Sequence, residues 1–545
     1  RRCVRCSKKA CARSSPEAMT EQTRQYQAMA KTASWTMVSR VLGLFRDQLT
    51  AAVFGASAIG SAFIFAFQIP NLFRRLLGEG ALTAAIVPVL ADKSAKDGQP
   101  AAFGFLNFVL RKVLPWMLGL TMVGAGTALL WALIWPADGP AAILTAICMP
   151  YMPLICVAAL FTSAVNLNGR FGLAEIASAT LNLCMIVGLG VFGENLAGTD
   201  MGKAVWLCVG ALVGGMFQLL IPLWGLRREG WRPGITHVDE NAWKTLSIAF
   251  LPAALGAGVQ QINVLVSRAL AIKESDAGLM YFYVANRIVE LPIGLFSASI
   301  AVVIFPALAT AFASRDVPAL ARNYGRGMRL VLAINVGAAF GLIALAVPIV
   351  QLLFNYGNFG TGDCVNTSRL LVIFALAMPF YAMISIVTRA LNVAGLTKAT
   401  LVAALHALVV NATGSILAVW MNQGVEGLAW ANAVSTLWQY FVLRHHLKRR
   451  APEFLAESLL KPALQVIAGS VLLAVVAFQG YAFLHNVLGG HLNEKINLVV
   501  SMGLAGGAGM TIYAVFLDKL GYPERDLLRG YANKVLRLFG LQLSA

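Results

Sequence analysis

Eight ionisable side chains stand inside stretches that are otherwise apolar: Arg40, Arg46, Arg74, Arg75 and Arg287, with Asp47, Glu79 and Glu290. A charge at membrane depth costs ~2.5 kcal/mol or more, so such a residue faces a cavity or a partner and marks function. Arginine presents a planar fork that binds phosphate oxygens in pairs and keeps its charge when partly desolvated. Five cations against three acids leave a positive excess, which suits an anionic substrate. The competing reading makes each charge one half of an inter-span ion pair, and Arg75 and Asp47 fit that reading best. Arg40 and Asp47 lie about two helical turns apart and share a face, whereas Arg46 points about 120° away from Arg40. Arg287 and Glu290 are close enough in sequence to pair along one helix.

The elements that must position these groups follow from the apolar pattern. Pro70-Asn71-Leu72-Phe73-Arg74-Arg75-Leu76-Leu77-Gly78-Glu79-Gly80 sits between two apolar runs, Ala58–Ile69 and Ala81–Leu90. Each run is too short to cross a bilayer, and together they make one long bent span. Pro70, Gly78 and Gly80 loosen the helix, which is tolerated where backbone lines a water-filled cavity. The alternative is a cytoplasmic loop between two re-entrant segments.

The chain has 545 residues, 58% hydrophobic and 12% charged, with a mean hydropathy of +0.71. Soluble domains carry about 25% charged residues, so the sequence is that of an all-α polytopic membrane protein. Its net charge of +18 is a matter of loop topology, not of nucleic-acid binding. Apolar runs predict about fourteen spans. Six form an N-lobe over 29–226: 29–54, the bent span 58–91, 113–135, 141–167, 173–192 and 205–226. A polar connector, 227–245, leads to a C-lobe over 246–443: 246–271, 278–312, 330–354, 370–391, 399–421 and 428–443. A basic linker, 444–461, precedes two further spans within 462–518, and 519–545 reads as an amphipathic tail suited to anionic membrane lipids. Residues 1–28 read as a disordered or artefactual basic extension. Lys and Arg concentrate in the loops from Lys93 through Arg329 to Arg537. The opposite loops and span ends hold Lys203, Arg268, Lys273, Arg369 and Lys495. Positive residues favour the cytoplasm, so both termini are expected there.

Ala84-Ala85-Ile86-Val87-Pro88-Val89-Leu90-Ala91 is echoed by Val302-Val303-Ile304-Phe305-Pro306-Ala307-Leu308-Ala309. Six spans separate the copies, an even number, so the lobes should form a parallel repeat with a site between them. The eight cysteines form no framework, and Cys3, Cys6 and Cys11 lack a nearby His, so neither metal nor cofactor is expected. No HExxH, GxSxG or Walker pattern occurs, His406 reads as structural, and the loops leave little room for a soluble catalytic domain. Transport fits better than catalysis.

Ser39-Arg40-Val41-Leu42-Gly43-Leu44-Phe45-Arg46-Asp47, the Pro70–Ala81 motif, Val87-Pro88-Val89-Leu90 and Asn286-Arg287-Ile288-Val289-Glu290-Leu291-Pro292-Ile293-Gly294 together resemble the MurJ (MviN) lipid II flippase family. The resemblance covers roughly residues 29–520 and implies the multidrug/oligosaccharidyl-lipid/polysaccharide exporter superfamily. It implies an inner-membrane protein moving undecaprenyl-pyrophosphate-linked peptidoglycan precursor outward by alternating access, with a link to the cell-wall synthesis machinery. It also implies that Arg40, Arg46, Arg74 and Arg287 line a central cavity, and that the last two spans hold the lipid tail. The chain departs from the family at Ser61 and Asn286, where many relatives have Asp. Spans seven and eleven carry no acid, where some relatives build a sodium site. Membrane potential remains a source of drive, since one charge crossing 100 mV gains about 2.3 kcal/mol. The rival readings are an exporter of another polyprenyl-linked glycan and a membrane-embedded transferase acting on lipid-linked sugars.

Overall fold

A computed structural model describes residues 16–78, 81–167, 172–234, 240–294 and 298–526, and every regular element among them is helical. Helix α1 (Pro16–Phe54) starts on a proline, whose fixed φ suits a first helical position, and continues through Ala, Glu, Gln, Met and Lys, all strong helix formers. Within the expected extension over 1–28, residues 16–28 are helical; residues 1–15 lie outside the described residues. The helix stops at Gly55, whose φ of +61° supplies the left-handed turn at its end.

The stretch expected as a bent span holds two helices and a π-turn. Helix α2 (Ala58–Phe73) passes into a π-helical turn, Arg74–Gly78, and the chain resumes as α3 (Ala81–Asp97). Pro70 has no N–H to give, so the ladder is short of a donor just before the widened turn. Helix α4 (Gln99–Ile134) follows, then α5 (Gly139–Cys148) and α6 (Tyr151–Leu167), which divide an expected single span at Met149-Pro150. Helix α7 (Gly172–Val187) leads through a π-turn (Gly188–Gly193) and a short α8 (Glu194–Leu196) to α9 (Asp200–Arg228). The Thr199 hydroxyl caps α9 by accepting from Gly202 N–H at 3.2 Å.

Helix α10 (Glu240–Glu274) precedes α11 (Gly278–Pro292) and α12 (Ala298–Ala313). After them come α13 (Val317–Ala344), α14 (Ala346–Phe354), α15 (Thr361–Val393), α16 (Thr397–Trp420), α17 (Gly424–Arg450), α18 (Leu460–Leu488) and α19 (Glu494–Lys519). The chain forms two compact units, one of residues up to Leu49 with Ile69–Ala254, the other of Thr50–Gln68 with residues from Leu255 onward. The first turns of α10 belong to the first unit because Leu246 is buried with Ile86, Leu106, Leu160 and Trp231.

The same packing scheme occurs in both units. In the first, α3 packs on α4 and α6, α6 on α9, and α7 on α9; in the second, α12 packs on α13 and α15, α15 on α17, and α16 on α17. Pro88 of α3 and Pro306 of α12 occupy matching places. Close approach of α7 and α9 depends on glycine: a Cβ on Gly210 would come within 2.6 Å of the Cys184 carbonyl oxygen. Helices α18 and α19 pair with each other and pack on α13, where the Tyr513 hydroxyl donates to the Ala333 carbonyl at 2.6 Å.

Nine candidate membrane spans among the described residues are long and apolar enough to cross a bilayer. The other stretches expected to span, such as Glu240–Glu274 and Gly424–Arg450, are helical but are not among these nine, so the expected count of fourteen is not established. Glu79 and most of the expected amphipathic tail, from residue 527, lie outside the described residues.

Candidate functional site

In the first unit, the π-turn sets Arg74 against α6. Cys156 of α6 donates its S–H weakly to the Phe73 carbonyl at 3.8 Å, and Arg74 Nε donates to Asn71 Oδ1 at 3.2 Å. The widened turn thus places the guanidinium at the wall of a cavity of about 440 Å³ bounded by α3, α6, α7 and α9. Among the described residues, Arg74 and Glu175 are the charged members of its lining, with Thr162, Asn166, Ser178 and Gln218 among the neutral polar ones. Asn166 Oδ1 is buried without a hydrogen-bond partner, a costly state for an amide unless a ligand or water meets it. Gln218 is held from behind, its Oε1 accepting from the Tyr151 hydroxyl at 2.8 Å.

Arg46 and Asp47 form a buried ion pair, with Nη2 to Oδ1 at 2.6 Å. Arg46 Nη1 also donates to Asn182 Oδ1 at 3.1 Å, and Asn182 Nδ2 donates to the Ser39 carbonyl at 3.2 Å and the Ser178 carbonyl at 3.3 Å. One turn of α7 therefore joins the Arg46–Asp47 pair on α1 to the cavity that Arg74 lines. Arg40 is half-buried on the same helix α1, and Arg75 is exposed.

In the second unit, Glu290 accepts from Arg287 Nη1 at 3.3 Å and from Asn286 Nδ2 at 3.0 Å. Asn286 thus supports Glu290 as a donor, which an Asp at that position could not do when ionised. Ser61 is fully buried and donates its hydroxyl to the Asp276 carbonyl at 2.6 Å; an ionised Asp there would set acceptor against acceptor. Asn411 of α16 donates to Asn263 Oδ1 at 2.8 Å and to Ser267 Oγ at 2.7 Å, an uncharged amide–hydroxyl network across spans seven and eleven.

Arg268, counted from the sequence with loops and span ends, stands near the end of α10 and is buried there, which the count did not anticipate; it is hydrogen-bonded to Gln68 Oε1, with its guanidinium 5.7 Å from the Tyr283 ring. The sequence reading also missed Asn166, Glu175, Asn182 and Gln218. A signal for three of α7's polar groups was present: Glu175, Ser178 and Asn182 recur at helical spacing in an apolar span.

Residues 50–499 match the family model described as "Lipid II flippase MurJ". The probable lipid II flippase MurJ of Vibrio cholerae is 30% identical over 525 residues, covering 91% of this chain and 96% of that protein. The corresponding protein of Bdellovibrio bacteriovorus is 32% identical over 498 residues, covering 87% of this chain and 91% of its own length. Among solved structures, a lipid II flippase MurJ in an inward closed conformation has a TM-score of 0.73 at 23% identity, covering 91% of this chain and 99% of that one. An inward-facing multidrug resistance MATE transporter of the MOP superfamily has a TM-score of 0.65 at 16% identity, covering 79% of this chain and all of that one. Both likenesses are in fold.

Proposed function

The chain belongs to the lipid II flippase MurJ family, and from that membership we propose how its residues serve the transfer of lipid II between leaflets. The observation that carries the reading is the Arg74 cavity: a polar recess with an arginine at a π-turn, inside otherwise apolar helices. Its volume of about 440 Å³ suits a pyrophosphate and an adjoining sugar, and is too small for the whole headgroup with its peptide. Arg74 takes the pyrophosphate through paired, charge-assisted hydrogen bonds. Asn166, Thr162 and Ser178 offer neutral partners for glycan hydroxyls. Arg40, Arg46 and Arg287 contribute further positive charge along the path, Asp47 and Glu290 hold Arg46 and Arg287 in place, and Arg75 and Glu79 support the break.

The exposed apolar faces of α18 and α19, including Ile467, Val471 and Val499, carry the polyprenyl tail. The protein works in the cytoplasmic membrane with both termini inside and serves the cell-wall synthesis machinery, with transport rather than bond-making as its task. The test is depletion in the host cell. The expected result is accumulation of lipid II on the cytoplasmic leaflet; accumulation of a different polyprenyl-linked glycan, with lipid II movement intact, overturns the substrate assignment.

A further inference from the structure

The first unit carries a second recess of about 820 Å³ with different chemistry. It lies between α3, α4 and the first turns of α10, and runs along α4 from Lys112 to Val123. Leu82, Leu120, Leu246 and Phe250 make its wall apolar, while Lys112 marks its charged end. Lys112 is exposed, as are Arg111 beside it on α4 and Lys244, which follows the lining residue Trp243 on α10. Two indoles frame the same end: Trp116 is 82% exposed, and Trp243 is held edge-on by Phe108 at 5.7 Å between centroids. Tryptophan beside lysine and arginine at the end of an apolar span is the composition of a membrane–water interface.

We propose that this recess binds an anionic glycerophospholipid, one acyl chain lying along α4 and the phosphate meeting Lys112 and Arg111. From Lys112 to Val123 the helix rises about 16 Å, close to half of the roughly 30 Å hydrocarbon core and therefore to one leaflet's acyl chain. A polyprenyl tail is far longer than the groove. The charge selects the headgroup: cationic side chains and an apolar wall, with no carboxylate in the lining, match a phosphodiester with net negative charge and give a zwitterionic lipid less. The site is separate from the Arg74 cavity, and the inference does not rest on the transport reading.

Gly119 supplies the decisive variant. Gly119 lines the recess, and a Cβ there would meet no atom within 4 Å, so the backbone accepts a side chain at this position. The full-length protein is purified, and retention of phosphatidylglycerol and phosphatidylcholine with matched chains is compared by native mass spectrometry. Phosphatidylglycerol is expected to be retained in preference. Lys112→Gln lowers its retention about fivefold, and Arg111→Gln with Lys112→Gln lowers it further. Gly119→Phe weakens retention of both lipids while leaving the melting temperature in lipid-free detergent unchanged. Equal retention of the two lipids overturns the proposal, as does wild-type phosphatidylglycerol retention in the Arg111/Lys112 double variant, which alters only exposed side chains. Loss of a homodimer in Gly119→Phe, with lipid retention unchanged, would assign the recess to a second copy of the chain instead.

Discussion

At the scale of single residues, Arg74 is where position and chemistry meet. Its backbone lies in a π-turn, its Nε is oriented by Asn71 at 3.2 Å, and its side chain lines a cavity with otherwise neutral partners apart from Glu175. A hydrogen bond to a charged group contributes about 1.5–3 kcal/mol, so Arg74→Ala should lower lipid II movement by roughly tenfold to hundredfold. Arg74→Lys keeps the charge and loses the fork, and an intermediate loss is expected. Arg75 is exposed, and Arg75→Ala should stay within about twofold of the parent. Complementation of a depleted strain, with membrane abundance measured by immunoblot, checks all three. Normal abundance and normal lipid II movement in Arg74→Ala would remove the pyrophosphate role.

At the scale of elements, the end of α1 is tied down by backbone. Asn358 N–H donates to the Ala52 carbonyl at 2.8 Å, and its side-chain amide donates to the Val53 carbonyl at 2.7 Å, within the second unit. This approach works because Gly357 and Gly55 carry no side chain: φ is +56° at Gly357, and a Cβ there would overlap the Ala52 carbonyl oxygen. Gly357→Ala should therefore destabilise the protein by about 2 kcal/mol, from left-handed strain together with the overlap. Gly362→Ala, at a helical position where a Cβ meets nothing within 4 Å, serves as the neutral control. Equal thermal melting of the two variants in detergent would show that the loop does not depend on this contact.

At the scale of the whole molecule, the Lys/Arg asymmetry makes a prediction about sidedness. In a cysteine-free background, Ser458→Cys in the basic linker and Gly198→Cys between α8 and α9 both place a thiol at an exposed position. A membrane-impermeant thiol reagent should label Gly198→Cys in intact cells and reach Ser458→Cys only after permeabilisation. The reverse pattern would invert the topology. The linker is a suitable reporter because it is anchored: Arg329 of α13 bonds Glu457 and, at 2.8 Å, Glu524 beyond α19. Burial nevertheless pushes the Glu524 carboxyl above its usual range, with Arg329 pulling it back.

Much of the fold was legible because membrane helices answer to local rules. Apolar length marks a span, Pro70 stands just before the π-turn, and the matching segments around Pro88 and Pro306 pointed to two halves that pack alike. Sequence also placed Arg40, Arg46, Arg74 and Arg287 within or beside apolar helices. It did not tell that Arg268, near the end of its span, is buried; burial depends on whether Gln68 and Tyr283 arrive from elsewhere in the chain. The cavity wall was equally hidden. Asn166, Glu175 and Gln218 come from three helices, and single-helix periodicity cannot say which polar faces meet. Helix identity follows from composition within one span, whereas a binding cavity exists only where several spans leave space between them, and that is decided by packing.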